Sequence, residues 1–126
     1  MKNLPLILAI DFDGLLVEDQ FPEIGQPNLA IIDMLLNLQS RGAKLILWTC
    51  RHGEYLSSAV EFCFLRGLVF DAINENLPEV QKLFNTDTRK VFAHYYLDDK
   101  NLEGDVKNCH LRLPSLHPFS NILTTE

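Results

Sequence analysis

Two pairs of carboxylates follow predicted strands that lie far apart along the sequence. Asp11 and Asp13 come directly after the apolar run "LPLILAI", and Asp98 and Asp99 come directly after "AHYYL". Carboxylates gathered at one place repel each other unless a cation lies between them. The two pairs therefore predict a shared site for a divalent cation, provided that the fold brings these strand ends together.

The pattern of apolar residues predicts alternating strands and helices, and hence a parallel sheet with helices on both faces. The first run, residues 4–10, shows no alternation, as expected of a central strand covered on both sides. The helix 28–41 has Asn28 as its N-cap and Gly42 after its end. The other predicted elements are strands at 43–49, 68–73, 93–97 and 109–113, and helices at 54–66 and from Pro78 onward. We expect one domain, residues 1–126, with a doubly wound parallel sheet in a three-layer α/β/α arrangement.

In an open parallel sheet, ligands bind at the carboxyl ends of the strands, beside the point where the strand order reverses. The second strand ends in Thr49, which Cys50 and Arg51 follow, and Arg89-Lys90 precedes the strand that ends at Asp98. The sequence thus predicts carboxylates and a hydroxyl at one rim of the sheet.

The motifs "DFDG", "LILWTCR" and "RKVFAHYYLDD", in this order, resemble the haloacid dehalogenase (HAD) superfamily of phosphotransferases. That family's pattern is Asp-x-Asp, a strand-end Ser or Thr, a Lys and an acidic pair, and the match spans nearly the whole chain. A lone Asp-x-Asp is common by chance, whereas four elements in the correct order are specific. The resemblance implies a HAD-like Rossmannoid fold and a Mg²⁺-dependent phosphomonoester hydrolase that acts on a phosphorylated substrate.

The resemblance assigns the nucleophile to Asp11, which attacks phosphorus to form an aspartyl-phosphate. Asp13 lies on the same side of the chain, where it can protonate the leaving oxygen and then deprotonate the attacking water. Thr49 is expected to hydrogen-bond a phosphoryl oxygen, and Lys90 to stabilise its charge. Cys50 and Arg51 are candidate substrate contacts. The other interpretation is a small buried hydrophobic residue for Cys50 and a solvated loop residue for Arg51.

Magnesium is the expected cofactor because the available ligands are hard oxygens. The candidate metal ligands are Asp11, the backbone carbonyl of Asp13, Asp98, and Asp99 acting through water.

Two residues depart from the family pattern. Leu15 stands where the family usually has Thr after Asp-x-Asp-Gly, and we expect it to shape the turn without abolishing activity. Lys90 lies closer to Asp98 than the corresponding lysine does in many members, so Lys82 and Arg89 are its substitutes.

No stretch of the sequence is long enough to form a cap domain. The segment "LLVEDQFPEIGQP" is predicted to be a loop or at most a small flap. Members without a cap often act on large substrates or rely on a partner subunit to cover the site. The sequence therefore leaves open both the identity of the substrate and a homo-oligomeric state.

The composition limits the class of protein further. A formal net charge of -6 disfavours a nucleic-acid partner, and no apolar run is long enough to predict a membrane span. The three cysteines, at positions 50, 63 and 109, have neither disulfide-framework nor zinc-site spacing, which favours the cytoplasm.

Two alternatives use the same residues differently. A receiver-like phospho-signalling module would carry its phosphate on Asp71, at the end of the third predicted strand, and not on Asp11. A non-catalytic HAD-like binding protein would have Leu15 as a sign of decay and would bind no Mg²⁺. Retention of both acidic pairs disfavours this last interpretation, because clustered carboxylates are costly without a metal.

Overall fold

The computed structural model describes residues 3–105 and 110–112, and a parallel four-stranded sheet forms its centre. The elements, in chain order, are β1 Ile7–Ile10, β2 Val17–Gln20, β3 Glu23–Pro27, α1 Leu29–Ser40, β4 Lys44–Leu47, α2 Gly53–Phe64, β5 Ala72–Ile73, α3 Pro78–Phe84, β6 Tyr95–Leu97, β7 Glu103–Asp105 and β8 His110–Arg112. The sheet has the strand order β5-β4-β1-β6, and all its pairs are parallel. The chain therefore builds the sheet to one side of β1 and then crosses to its other side, an arrangement compatible with a Rossmann-like fold.

Alternate residues of β1 enter the two halves of the hydrophobic core. Leu8 and Ile10 belong to the cluster that contains the buried residues of α1 and α2. Ile7 and Ala9 belong to the cluster that contains Val80 of α3. Because successive side chains of a strand point to opposite faces, helices cover both faces of the sheet. This confirms the predicted α/β class.

The helix boundaries follow the signals in the sequence. The Asn28 side chain accepts the Ile31 N–H at 3.3 Å and so caps α1, as predicted. Gly42 follows the helix with a φ of +99°, a conformation that a residue with a Cβ adopts only under strain. Pro78 stands at the start of α3, where its missing N–H has no helical partner to lose.

The four strands of the sheet are shorter than predicted, and beside β5 and β6 side chains replace backbone atoms in the hydrogen-bond ladder. The predicted strand 68–73 contributes only Ala72–Ile73, since the Asp71 carboxylate accepts the Leu45 N–H at 2.9 Å. In the same way, ring nitrogen Nδ1 of His94 accepts the Ile7 N–H at 3.0 Å, and β6 begins only at Tyr95. Regular pairing therefore concentrates at the carboxyl ends of these strands.

The segment after β1 forms a buried turn and a hairpin. Phe12, Leu15 and Leu16 are fully buried, so Leu15 is a core residue at the position where the family usually has Thr. Strands β2 and β3 then pair antiparallel outside the main sheet. The predicted loop or small flap is this β2–β3 hairpin.

The predicted last strand lies partly outside the described residues, and its described part, β8, pairs antiparallel with β7 in a separate sheet. Within the described ranges, every helix is too short or too polar to cross a membrane.

Candidate functional site

The carboxyl ends of β1 and β6 lie side by side at the point where the strand order reverses. Ile10 of β1 is in register with Leu97 of β6, and the Asp11 N–H donates to the Leu97 carbonyl at 3.0 Å. The residues that follow this pair are Asp11 on one strand and Asp98 on the other. Parallel pairing thus brings together two acidic motifs that are far apart in the sequence.

Three of the four predicted metal ligands form one cluster of side chains. One carboxylate oxygen each of Asp11, Asp98 and Asp99 lies within 4.8 Å of the other two. Oxygens that bind one Mg²⁺ at about 2.1 Å are about 3 to 4 Å apart, so the spacing of these three carboxylates is close to the spacing that a shared ion requires. A set of hard oxygen donors with several negative charges fits Mg²⁺ in chemistry as well as in spacing.

The cluster disfavours ionisation of its central carboxylate. Burial first, and then the negative charge of Asp98, raise the pKa of Asp11 from 3.8 to about 8. A divalent cation among these oxygens would counteract both causes. Its positive charge favours the ionised carboxylate, and its bonds to oxygen replace the contacts with water that burial removes. The acidic cluster therefore has a physical reason to take up a cation near neutral pH.

Gly14 makes this cluster possible by leaving space for Asp99. The φ of Gly14 is +90°, and a Cβ built on it would overlap the Asp99 carboxylate. The turn after Asp13 therefore requires glycine for its backbone conformation and also for the carboxylate packed against it.

The Asp13 side chain is not one of the three clustered carboxylates and is held by Arg51. Nε and Nη2 of Arg51 donate to the two carboxylate oxygens of Asp13 at 2.7 and 2.8 Å. The same guanidinium donates to the carbonyl oxygens of Glu23 at 3.0 Å and Tyr55 at 3.2 Å. The hydrogen bonds to Asp13 raise the pKa of Arg51 above its already high ordinary value. Arg51 is 3% exposed, and its guanidinium links Asp13 to the hairpin.

A cleft of about 320 Å³ opens at these strand ends. Its lining residues are Asp11, Asp13, Asp19, Phe21, Thr49, Cys50, Arg51, Asp98 and Lys100. Six of them are candidates from the sequence, and Asp19, Phe21 and Lys100 are not. Cys50 is a free and exposed thiol at this edge, and Cys109 lies outside the described residues.

Thr49 is oriented by two hydrogen bonds. Its N–H donates to Oδ1 of Asn74 at 2.8 Å, and its Oγ1 accepts the Arg51 N–H at 3.1 Å. Within the part of the chain that the structure describes, the Thr49 hydroxyl donates to no acceptor, so its proton can be donated to a ligand in the cleft. Asn74 is a supporting residue that the sequence motifs gave no reason to select.

The lysine that reaches the cleft differs from the predicted one. Nζ of Lys90 lies 5.2 Å from the centre of the Tyr96 ring, and neither Lys90 nor its substitutes Lys82 and Arg89 line the cleft. Nζ of Lys100 instead lies 3.3 Å from both carboxylate oxygens of Asp99. Partial burial lowers the pKa of Lys100, but the charges of Asp99, Asp11 and Asp19 outweigh this effect and raise it. Its position directly after the acidic pair was the available signal in the sequence.

Asp71, the phosphate acceptor of the receiver-like alternative, lies at the opposite end of the sheet. Its carboxylate contacts the Leu45 N–H and lies 3.8 Å from Nζ of Lys44, where β4 begins. Asp11 instead follows the last residue of β1. This placement gives Asp71 no contact with the acidic cluster and disfavours the receiver-like alternative.

A solved structure of a conserved protein from Bacteroides thetaiotaomicron is similar to this chain. The two share 40% sequence identity and superpose with a TM-score of 0.68, over 78% of each chain. No family model and no curated protein matches the sequence.

Proposed function

We propose that this chain, which belongs to the same family as the conserved Bacteroides thetaiotaomicron protein, is a Mg²⁺-dependent phosphomonoester hydrolase of the HAD type without a cap domain. The observation that carries the proposal is the convergence of Asp11, Asp98 and Asp99 at the switch point of a parallel sheet. Clustered carboxylates at this position are suited to hold a divalent cation, and one of them can attack the phosphorus atom of a bound phosphate ester.

Asp11 is the proposed nucleophile. One of its carboxylate oxygens bonds to phosphorus, and the bond between phosphorus and the ester oxygen breaks with both electrons leaving on that oxygen. Water then attacks the phosphorus of the aspartyl-phosphate, which releases inorganic phosphate and restores the carboxylate. Mg²⁺ held by Asp11, Asp98, Asp99 and the backbone carbonyl of Asp13 would neutralise the negative charges that otherwise keep carboxylate and phosphate apart.

Asp13 is the proposed general acid and base, and Arg51 controls its position. Asp13 donates a proton to the leaving oxygen and later accepts one from the attacking water. Both oxygens of Asp13 accept hydrogen bonds from Arg51. A protonated Asp13 has one acceptor site fewer for Arg51, so we expect the pair to tighten when Asp13 gives up its proton in the acid step and to loosen when it accepts a proton in the base step.

The phosphoryl group is proposed to bind between Thr49 and Lys100. The hydroxyl of Thr49 can donate to a phosphoryl oxygen, and α2 begins at Gly53, four residues later in the chain. The N-terminus of a helix favours an anion such as the phosphoryl group. Lys100 supplies a positive charge to the cleft in the role that the resemblance assigned to Lys90.

The test is hydrolysis of 4-nitrophenyl phosphate by the full chain, with Mg²⁺ and with EDTA. We expect turnover only with Mg²⁺ and a loss of at least about 1000-fold in kcat for Asp11→Asn, since the nucleophile is removed. Asp33→Asn, an exposed aspartate on α1, is the matched control and should retain full activity. Equal turnover by wild type and Asp11→Asn would reject the proposal. Absence of Mg²⁺ binding by calorimetry would favour the non-catalytic alternative.

A further inference from the structure

The β2–β3 hairpin brings an exposed aromatic ring into the cleft that contains the acidic cluster. Phe21 stands in the turn between the two strands, lines the same cleft as Asp11 and Thr49, and is 52% exposed. The cleft is of the size that encloses small molecules, so a group attached to a phosphate at Asp11 must pass close to the hairpin.

Neighbouring side chains contact the Phe21 ring and hold it in place. Tyr55 packs against it edge-on, with ring centres 5.4 Å apart at 67°, and the central guanidinium carbon of Arg51 lies 5.1 Å from its centre. The Phe21 N–H also donates to Oδ1 of Asp19 at 3.3 Å. A ring fixed in this way offers its exposed part for stacking without first losing conformational freedom.

The charges of the cleft restrict what can be attached to the phosphate. Arg51 is engaged by Asp13, and Lys100 is engaged by Asp99 and, in the proposed binding mode, by the phosphoryl group, so neither of these two lining cations remains for a second anionic group. Asp19 adds a further carboxylate beside Phe21. A second anionic group on the substrate would therefore be repelled by Asp19, and neither lining cation would be available to offset this repulsion.

We infer that the site takes phosphomonoesters whose leaving group is a planar aromatic ring with no second negative charge. Phe21 stacks on the ring of the leaving group, and Asp19 discriminates against anionic substituents on it. This inference rests on the proposed phosphatase function and adds the class of substrate to it.

The test for Phe21 compares two esters of nearly equal size, benzyl phosphate and cyclohexylmethyl phosphate, in the presence of Mg²⁺. Only the first has an aromatic face. Aromatic pairing favours a complex by about 3- to 10-fold, so Phe21→Leu should lower the ratio of the two kcat/KM values by that factor. Phe64→Leu is the matched control, since Phe64 is 63% exposed and lies on α2 outside the cleft, and it should leave the ratio unchanged.

The test for Asp19 compares 4-carboxybenzyl phosphate with benzyl phosphate. Wild type should prefer benzyl phosphate, and Asp19→Asn should reduce this preference by about 2- to 5-fold, the size of an exposed charge interaction. Added salt should reduce the preference in wild type as well, because it screens the repulsion.

The outcomes separate this inference from the function on which it rests. Hydrolysis that depends on Mg²⁺ and Asp11, with equal effects of Phe21→Leu on both neutral esters, overturns the stacking role and leaves the phosphatase proposal intact. An unchanged preference in Asp19→Asn overturns the charge role. No hydrolysis of any of the three esters by wild type overturns the proposed function and the inference together.

Discussion

The stability of the metal-free protein should depend on pH through Asp11, and Asp11→Asn should remove this dependence. In the folded chain, burial and the charge of Asp98 raise the pKa of Asp11 from 3.8 to about 8. The unfolded chain therefore loses this proton near pH 4, whereas the folded chain retains it up to about pH 8. Between these values the folded state binds more protons, so its stability falls as the pH rises and then stays level.

The size of this effect follows from the rise in pKa. A change from 3.8 to about 8 corresponds to at most about 6 kcal/mol, because each pKa unit is worth about 1.4 kcal/mol. Asp11 is partly exposed, so solvent and salt screen its interactions, and we expect about 2 to 3 kcal/mol in practice. Asn carries no charge at any pH. The stability of Asp11→Asn relative to wild type should therefore grow by about 2 kcal/mol between pH 5 and pH 9.

The assay is urea denaturation in EDTA at pH 5, 7 and 9 for wild type, Asp11→Asn and the exposed control Asp33→Asn. Saturating Mg²⁺ should make wild type more stable than Asp11→Asn at pH 9, because only wild type retains the full set of ligands. Mg²⁺ at 100 times its Kd stabilises the folded protein that binds it by about 2.7 kcal/mol. A difference between Asp11→Asn and wild type that stays constant or shrinks from pH 5 to pH 9 would refute the argument.

Three further variants test how the surrounding residues support the site. Gly14→Ala should weaken Mg²⁺ binding about 10-fold, measured by calorimetry, because the added Cβ overlaps the Asp99 carboxylate. Gly42 has a similar φ, but a Cβ added there meets no atom within 4 Å, so Gly42→Ala should leave Mg²⁺ binding unchanged. Equal affinities of the two variants for Mg²⁺ would contradict this role of Gly14. Arg51→Ala should lower the free energy of unfolding by about 3 to 5 kcal/mol, because it leaves Asp13 without its buried partner. Arg66→Ala, at an exposed residue in the turn after α2, should cost less than about 1 kcal/mol, and similar urea midpoints for the two variants would exclude the linking role of Arg51. Asp13→Asn should lower kcat for benzyl phosphate by a factor about 10-fold or more larger than the factor for 4-nitrophenyl phosphate, because the nitrophenolate leaves without protonation. Equal losses of kcat for the two esters would argue against Asp13 as the general acid.

The sequence predicts the parts of this fold that depend on local signals. Asn28 and Pro78 mark the starts of α1 and α3, and the unbroken apolar run before Asp11 marks the central strand. The general rule that ligands bind at the carboxyl ends of parallel strands then predicts that Asp11 and Asp98 lie close together, without any knowledge of side-chain positions.

The features that the sequence could not predict depend on contacts between distant residues. The lengths of β5 and β6 are set by Asp71 and His94, whose side chains accept N–H groups of other strands. Arg51 was predicted as a substrate contact, but its bidentate pairing with Asp13 depends on the three-dimensional approach of the hairpin.

The choice of lysine shows a different limit of the sequence. The family pattern places the lysine before the acidic pair, which pointed to Lys90. Lys90 lies over the Tyr96 ring, whereas Lys100 lines the cleft. A family pattern fixes the order of motifs, but the side of the sheet to which a connecting segment turns depends on packing that the pattern does not encode.

The central claim is that Asp11 attacks phosphorus, and trapping its acyl-phosphate tests this most directly. Wild type is mixed with Mg²⁺ and 4-nitrophenyl phosphate, quenched during turnover and treated with borohydride, which reduces an aspartyl-phosphate to homoserine. Peptide mass spectrometry should then find homoserine at position 11 in a fraction that depends on Mg²⁺ and substrate. Unmodified Asp11 in samples quenched during rapid turnover, or reduction at Asp71 in its place, would contradict the account.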